Sequence, residues 1–375
     1  MDISPAGSSK HSIIHLGTKL AILVTTLSCL AVYAQQPFVA LSENGRLTHI
    51  NNLGQAVGWR ADGPYAYSVI SFDGATHTIG TAAGFNAYGA GVDIDDDGGV
   101  LYLGSIYGYG FIYRAASGIT TNLGTYSPDE RAVAVGITSS GLIAGNFSHN
   151  GPGDNWGFAY TVSLAQCPTS DYHGADLNKL RGWTVYNPNP WPWETAETVA
   201  AINDSGTVVG NYSWWSGYDV HKVAAYWTGT TVHELGTLGH SSSDATAINN
   251  NGDIAGTLFN SNGSIAHAFL FSGETMHELS NFNDTPVAMN DLGVILSATS
   301  FYDDGAVTPI QSLLPQGWTL GAASDINNLN QVVGYATGPD GLQHGFILQV
   351  PEPTTLCLLG LGAVTMLRRH LAARR

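Results

Sequence analysis

Apolar residues in this chain fall in short runs, separated by polar segments rich in glycine. One polar phrase recurs, and its clearest form is "AINNNGDIAG" at 247–256. Aligned along the chain, the phrase has seven copies, anchored on Ile50, Ile94, Ile137, Ile202, Ile248, Met289 and Ile326. The spacings are 44, 43, 65, 46, 41 and 37 residues. The residue after each anchor is Asn51, Asp95, Thr138, Asn203, Asn249, Asn290 or Asn327. Four residues after the anchor stand Gly54, Gly98, Gly141, Gly206, Gly252, Gly293 and Asn330. A short side-chain acceptor at the start of a turn bonds the backbone two residues on. Glycine enters the left-handed region freely, and asparagine is the next most tolerant residue. The phrase therefore reads as a hairpin turn between two antiparallel strands.

Each copy continues with a third, aromatic run, such as "YAYSVI" (65–70), "AAYW" (224–227), "HAFLF" (267–271) and "HGFIL" (344–348). A fourth run follows, such as "VHELGTL" (232–238), "MHEL" (276–279) and "LNKL" (177–180). Four short strands in a unit of this length predict a propeller blade. The fold expected is all-β, a seven-bladed β-propeller of four-stranded blades. Its repeats lie near 47–80, 88–125, 131–180, 197–239, 241–280, 284–321 and 322–350. The last copy lacks a fourth run, while "FVAL" (38–41) is a spare apolar segment ahead of the first. Pairing the two closes the ring without a free edge. The rival is a solenoid, which needs polar capping repeats, and no cap is visible in the sequence.

The two ends follow a different pattern. Lys10 and Lys19 precede an apolar run from Leu20 to Leu30, and Val32-Tyr33-Ala34 offers small residues for cleavage before Gln35. Residues 1–34 thus read as a signal peptide with an apolar helix, the substrate of signal peptidase. Cys29 fits a lipoprotein acceptor poorly, because the residues before it do not match and the apolar run continues past it. At the other end, Val350-Pro351-Glu352-Pro353 precedes the short apolar stretch 354–367, then Arg368 and Arg369, then Arg374 and Arg375. That stretch predicts a short apolar helix, below the roughly 20 residues that cross a bilayer. The order of Pro-Glu-Pro brake, apolar helix and basic end resembles the bacterial PEP-CTERM sorting signal over 350–375. The resemblance implies export from a Gram-negative-type bacterium and transient membrane insertion of the tail. It also implies tail removal by an exosortase-type enzyme. A plain C-terminal anchor is the alternative.

Between Gln35 and Val350 there are 27 acidic and 7 basic residues, a net charge near −20. Such a surface repels nucleic acid and anionic membranes. Cys167 is the sole cysteine in that span, so no disulfide forms within one mature chain.

His267-Ala268-Phe269, "AINNNGDIAG" and "HELGTLG" (233–239) together resemble the bacterial extracellular HAF repeat. "DLNKLRGW" (176–183) and "IQSLLPQGWTL" (310–320) look like another stretch of such proteins. The resemblance spans nearly all of 47–350 and implies an exported repeat protein without an assigned activity. Two departures stand out: Tyr102 occupies a position that is glycine in five copies, and the sixth repeat has a faint third strand.

Candidate chemistry is sparse. Asp93, Asp95 and Asp97, before Gly98, match the opening of a calcium loop. The ninth and twelfth loop positions, Leu101 and Gly104, cannot ligate through side chains, and the turn already explains Gly98. His233, His240, His267 and His277 lack a metal-ligand spacing and read as structural. The insertion 181–197 carries Trp183, Tyr186, Trp191 and Trp193 among prolines, and Trp214 and Trp215 lie in repeat four. These aromatics are candidate stacking surfaces for sugar rings, or a loop buried over repeats three and four. No nucleophile elbow, phosphate loop or zinc-protease signature occurs. The leading expectation is a non-enzymatic, exported binding or structural module at the cell surface or in the extracellular matrix, polysaccharide-associated and without a cofactor. The alternative is an extracellular glycan hydrolase or lyase, which a pair of close carboxylates at the channel end would favour.

Overall fold

The computed structural model describes residues 38–63, 66–83, 93–103, 111–114, 117–118, 120–124, 130–149, 157–163, 184–185, 195–216, 219–229 and 231–351. The signal peptide, the tail beyond Pro351 and the fourth run at 177–180 lie outside them. Within them the chain is all-β, apart from 3-10 and turn segments such as Ile310–Leu313. No helix among the described residues is long and apolar enough to cross a membrane.

The strands form antiparallel meanders in chain order. Repeat one holds β1 (Phe38–Ile50), β2 (Ala56–Gly63), β3 (Ala66–Phe72) and β4 (Thr76–Ala83). Repeat two holds β5 (Asp93–Ile94), β6 (Val100–Leu103), β7 (Phe111–Arg114) and β8 (Thr120–Gly124). Repeat three holds β9 (Glu130–Ile137), β10 (Leu142–His149), β11 (Gly157–Ser163) and β12 (Thr184–Val185). Repeat four holds β13 (Thr195–Ile202), β14 (Val208–Ser216), β15 (Asp219–Thr228) and β16 (Thr231–Gly236). Repeat five holds β17 (Ser242–Ile248), β18 (Ile254–Phe259), β19 (Ile265–Ser272) and β20 (Thr275–Leu279). Repeat six holds β21 (Pro286–Met289), β22 (Ile295–Ser297), β23 (Ser300–Asp303) and β24 (Ala306–Pro309). Repeat seven holds β25 (Thr319–Ile326), β26 (Gln331–Thr337) and β27 (Gln343–Gln349).

Strand β1 joins the ends of the chain. Its first part pairs with β27, Phe38 opposite Leu348 and Ala40 opposite Phe346, and its second part pairs with β2 from Gly45 to Ile50. Repeats seven and one thereby share one seven-stranded sheet. His344, buried on β27, fastens this join. One ring nitrogen lies 2.8 Å from the Leu41 carbonyl and the other 2.9 Å from Asp340 Oδ2. The Leu342 N–H and then His344 hold the Asp340 carboxyl below the usual range.

The core lies between sheets. Val209 and Ala224 of repeat four pack with Ile248, Leu258 and Phe269 of repeat five. Repeats five and six share Ala255, Phe282, Met289 and Ile295, and repeats six and seven share Leu296, Phe301, Val332 and Phe346. Val57 and Val69 of repeat one meet Ile94, Val100 and Tyr102 of repeat two. Middle strands are buried on both faces, whereas fourth strands such as β24 are exposed. Burying a Leu, Ile or Phe side chain contributes about 1.5–3 kcal/mol.

The shared glycine of the second strands follows from a bulge in the first. The β17–β18 register slips between Ala245 and Ala247, which presses the first strand's backbone onto Gly256. A Cβ there would lie 2.1 Å from the Asp244 carbonyl oxygen.

Candidate functional site

All seven phrases form the same turn. At each, the first residue's N–H bonds the carbonyl four residues on, and the fourth residue's N–H returns to the first residue's carbonyl. The fourth residue has positive φ throughout, from +78° to +86° for the glycines and +56° for Asn330. The side-chain acceptor works as the sequence demanded. Asn290 Oδ1, for example, accepts from the Leu292 and Val294 N–H groups at 3.1 and 3.0 Å.

The turns converge. Residues from all seven line one polar depression of about 670 Å³, open mouth included. Two rings of hydrogen bonds join neighbouring turns there. In the deeper ring, the amide of the first turn residue donates to the carbonyl of the same residue in the next repeat. Asn51 reaches Asp95, Asn203 reaches Asn249, Asn249 reaches Asn290, Asn290 reaches Asn327, and Asn327 reaches Asn51, at 2.9–3.2 Å. The last bond spans 276 residues and joins the ends of the repeat series. Asp95 and Thr138 carry no amide and cannot make this link.

The outer ring uses the second turn residue. Its N–H donates to the side chain of its counterpart: Asn52 to Asp96, Ser139 to Asp204, Asp204 to Asn250, Asn250 to Asp291, Asp291 to Asn328, and Asn328 to Asn52. Both oxygens of the three carboxylates in this ring are thereby occupied. Asp96 takes the Asn52 N–H and amide. Asp204 takes Ser139 and the Asn250 amide. Asp291 takes the Asn250 N–H and the Asn328 amide.

The residue before each anchor is His49, Asp93, Gly136, Ala201, Ala247, Ala288 or Asp325. The ionisable ones therefore fall in adjacent repeats seven, one and two. Asp325 accepts from the Ile50 N–H at 3.0 Å, and Asp93 from the Ile137 N–H at 2.8 Å, each across a joint between repeats. Burial pushes the Asp325 carboxyl up to about 6; His49 opposes the rise and Asp93 adds to it. The carboxyl is enclosed by protein although the residue is partly exposed and lines the depression. The sequence singled out Asp93 only as the opening of a calcium loop, and neither His49 nor Asp325. The signal was the single position before the anchor, readable once the seven copies are stacked.

The calcium-loop residues do not assemble. Asp93 bonds Ile94 and Ile137, Asp95 bonds its own turn through the Asp97 and Gly99 N–H groups, and Asp97 is exposed at the rim. The turn consumes these acceptors locally, and no group of three His, Cys, Asp or Glu side chains suited to a metal exists among the described residues. Among the histidines, His233 stacks on Tyr226 with centroids 4.6 Å apart. His240 and His267, distant in sequence, meet on the two oxygens of Glu278 at 3.1 and 3.3 Å.

Of the candidate aromatics, Trp183, Tyr186, Trp191 and Trp193 lie outside the described residues. Trp214 and Trp215 lie on β14. The half-buried Trp214 stacks between Tyr212 and His221, with centroids 5.5 and 5.3 Å away.

Comparison with known proteins agrees with this geometry at the level of fold. The PEP-CTERM protein-sorting motif matches residues 349–375. Such signals mark exported, envelope-associated bacterial proteins and imply recognition by an exosortase. The residues Val350, Pro351, Glu352, Pro353, Arg368 and Arg369 fall inside this match. No curated protein matches the chain. The β-propeller domain of the Trilobed protease from Pyrococcus furiosus, described as having an open velcro topology, is similar at a TM-score of 0.53. The identity is 9%, covering 83% of this chain and 97% of that one. A puromycin-hydrolysing peptidase from Mycobacterium tuberculosis is similar at a TM-score of 0.52 and 12% identity, covering 82% of this chain and 52% of that one. These likenesses show a propeller-like all-β fold and nothing of activity.

Proposed function

We propose that the chain is a seven-bladed propeller of four-stranded blades, with the first part of β1 as fourth strand of the last blade. Its blades resemble HAF repeats. The protein is an exported, non-enzymatic binding or structural module of a Gram-negative-type envelope or matrix. The observation carrying this reading is the saturated outer ring. Three carboxylates of the mouth, Asp96, Asp204 and Asp291, each hold two or more hydrogen bonds from neighbouring turns. A general acid or base must instead be free to meet substrate. They serve as rivets of the ring.

The ligand class supported best is polysaccharide. The ladder of Tyr212, Trp214 and His221 offers stacked flat faces on a rigid sheet, and rigid aromatic anchors lose little entropy on binding. The test is retention of the exported protein by its own extracellular polysaccharide. Trp214→Ala should weaken retention roughly tenfold, the loss of about 1.4 kcal/mol of stacking. Unchanged retention, or glycan cleavage by the parent that is lost in Asp204→Asn, overturns the reading.

A further inference from the structure

The third residue of each turn projects at the rim of the depression. In repeats two to five it is polar, but in adjacent repeats six, seven and one it is leucine. Leu292, Leu329 and Leu53 are 63, 49 and 66% exposed. The turn does not require them, since only their backbone N–H groups are used. A contiguous apolar arc rimmed by polar groups marks a contact surface.

The chain leaves the fold at the middle of this arc. Val350 is buried, and its N–H donates to the Asn330 carbonyl at 2.8 Å, while the Gln349 amide donates to the Leu329 carbonyl at 2.8 Å. Four residues on begins the apolar stretch 354–367, followed by four arginines. Beyond the arc the rim is acidic, with Asp97 exposed in the adjoining repeat two and Asp204 in repeat four.

We propose that the uncleaved tail folds back over the turn face of its own chain, its apolar stretch on the leucine arc and its arginines toward the acidic sector. Apolar matches apolar, and basic matches acidic, in the order in which the chain would meet them. The tether is so short that the tail's effective concentration at the arc is in the millimolar range. The acidic body disfavours an anionic bilayer as the occupant. The contact shields the tail from water during transit and releases it when the membrane-bound sorting enzyme captures it. It stands independently of any polysaccharide ligand.

The test uses the full chain after signal-peptide removal, isolated from cells lacking the sorting enzyme. A benzophenone side chain at position 292 should cross-link within the same chain to a peptide from 354–367, with phosphatidylcholine vesicles present. The triple variant Leu53→Ser, Leu292→Ser, Leu329→Ser should speed tryptic cleavage at Arg368 roughly tenfold, equal to about 1.4 kcal/mol, with its circular dichroism unchanged. Asp97→Lys should speed cleavage at low salt and not at about 1 M, where screening is short-ranged. Cross-links to lipid or to a second copy, or the absence of any cross-link, overturn the proposal, as do equal cleavage rates in a folded triple variant. Where the triple variant does not fold, the cross-link decides.

Discussion

Two arcs of the turn ring close by different means. From repeat four through five, six, seven and one to repeat two, every joint carries an asparagine amide on the neighbour's carbonyl. From repeat two through three to four, Asp95 and Thr138 hold the equivalent positions and carry no side-chain amide. There the Ile137 N–H bonds Asp93, and Ser139 bonds Asp204 through both N–H and hydroxyl. Asn146, on the second strand, exchanges two bonds with Val199 at 2.7 and 2.8 Å. The difference teaches that each joint needs some satisfied donor rather than one particular side chain. An unpaired buried polar group costs about 1–3 kcal/mol, and either arrangement avoids it.

The largest expected effect tests the strand packing behind the first arc. Gly256→Ala should lower stability by about 3 kcal/mol or more, because its Cβ would meet the Asp244 carbonyl and the Phe269 ring. Urea unfolding measures this, and a loss below about 1 kcal/mol would show that the bulge relaxes easily. Next, Asn290→Ala deletes two donated and two accepted bonds in a buried site, with a loss of about 2–3 kcal/mol. Thr138→Ala in the second arc removes the acceptor of the Leu142 N–H and should lose about 1 kcal/mol. Equal losses would dissolve the distinction between the arcs.

The joint between repeats seven and one adds a pH dependence. Asp325 has its carboxyl raised to about 6 in the fold, so the folded chain binds this proton more tightly than the unfolded chain. The favourable contribution is full below the unfolded value near 4 and declines as pH rises to about 6. Asp325→Asn removes this decline. Its stability relative to the parent should rise between pH 4 and 7 by on the order of 2 kcal/mol, lessened by channel water. A difference that stays flat over that window would show that the charged form is not penalised. The smallest effect is a gain. Thr138→Asn restores an amide facing the Asn203 carbonyl and should add about 0.5–1 kcal/mol to the melting free energy. A loss would mean that this joint is too wide for the bond.

Much of the fold was legible from spacing alone. The seven anchors marked seven turns, Asn330 stood where a left-handed residue was required, and "FVAL" (38–41) entered the ladder of β27. Legibility was poorer where a role depends on neighbours distant in sequence. Asp93 looked like a calcium ligand because it sits beside Asp95, yet its partner is Ile137, 44 residues away. His240 and His267 showed no ligand spacing, yet Glu278 brings them together. In repeat three the described strand beside β11 is Thr184–Val185, and the expected run 177–180 lies outside the described residues.

By itself the sequence determined what is local. A turn that needs an acceptor at its first residue and a left-handed fourth residue admits few side chains, so a short polar acceptor followed by glycine or asparagine declares itself in every copy. The tail motif at 349–375 is likewise a contiguous string. Tertiary structure alone decided what those side chains do with their remaining hydrogen-bonding capacity. One asparagine oxygen serves its own turn, while its amide serves a turn about 40 residues on. That second partner exists only once the sheets pack around a common channel, because hydrogen bonds act over about 3 Å and have no memory of sequence distance.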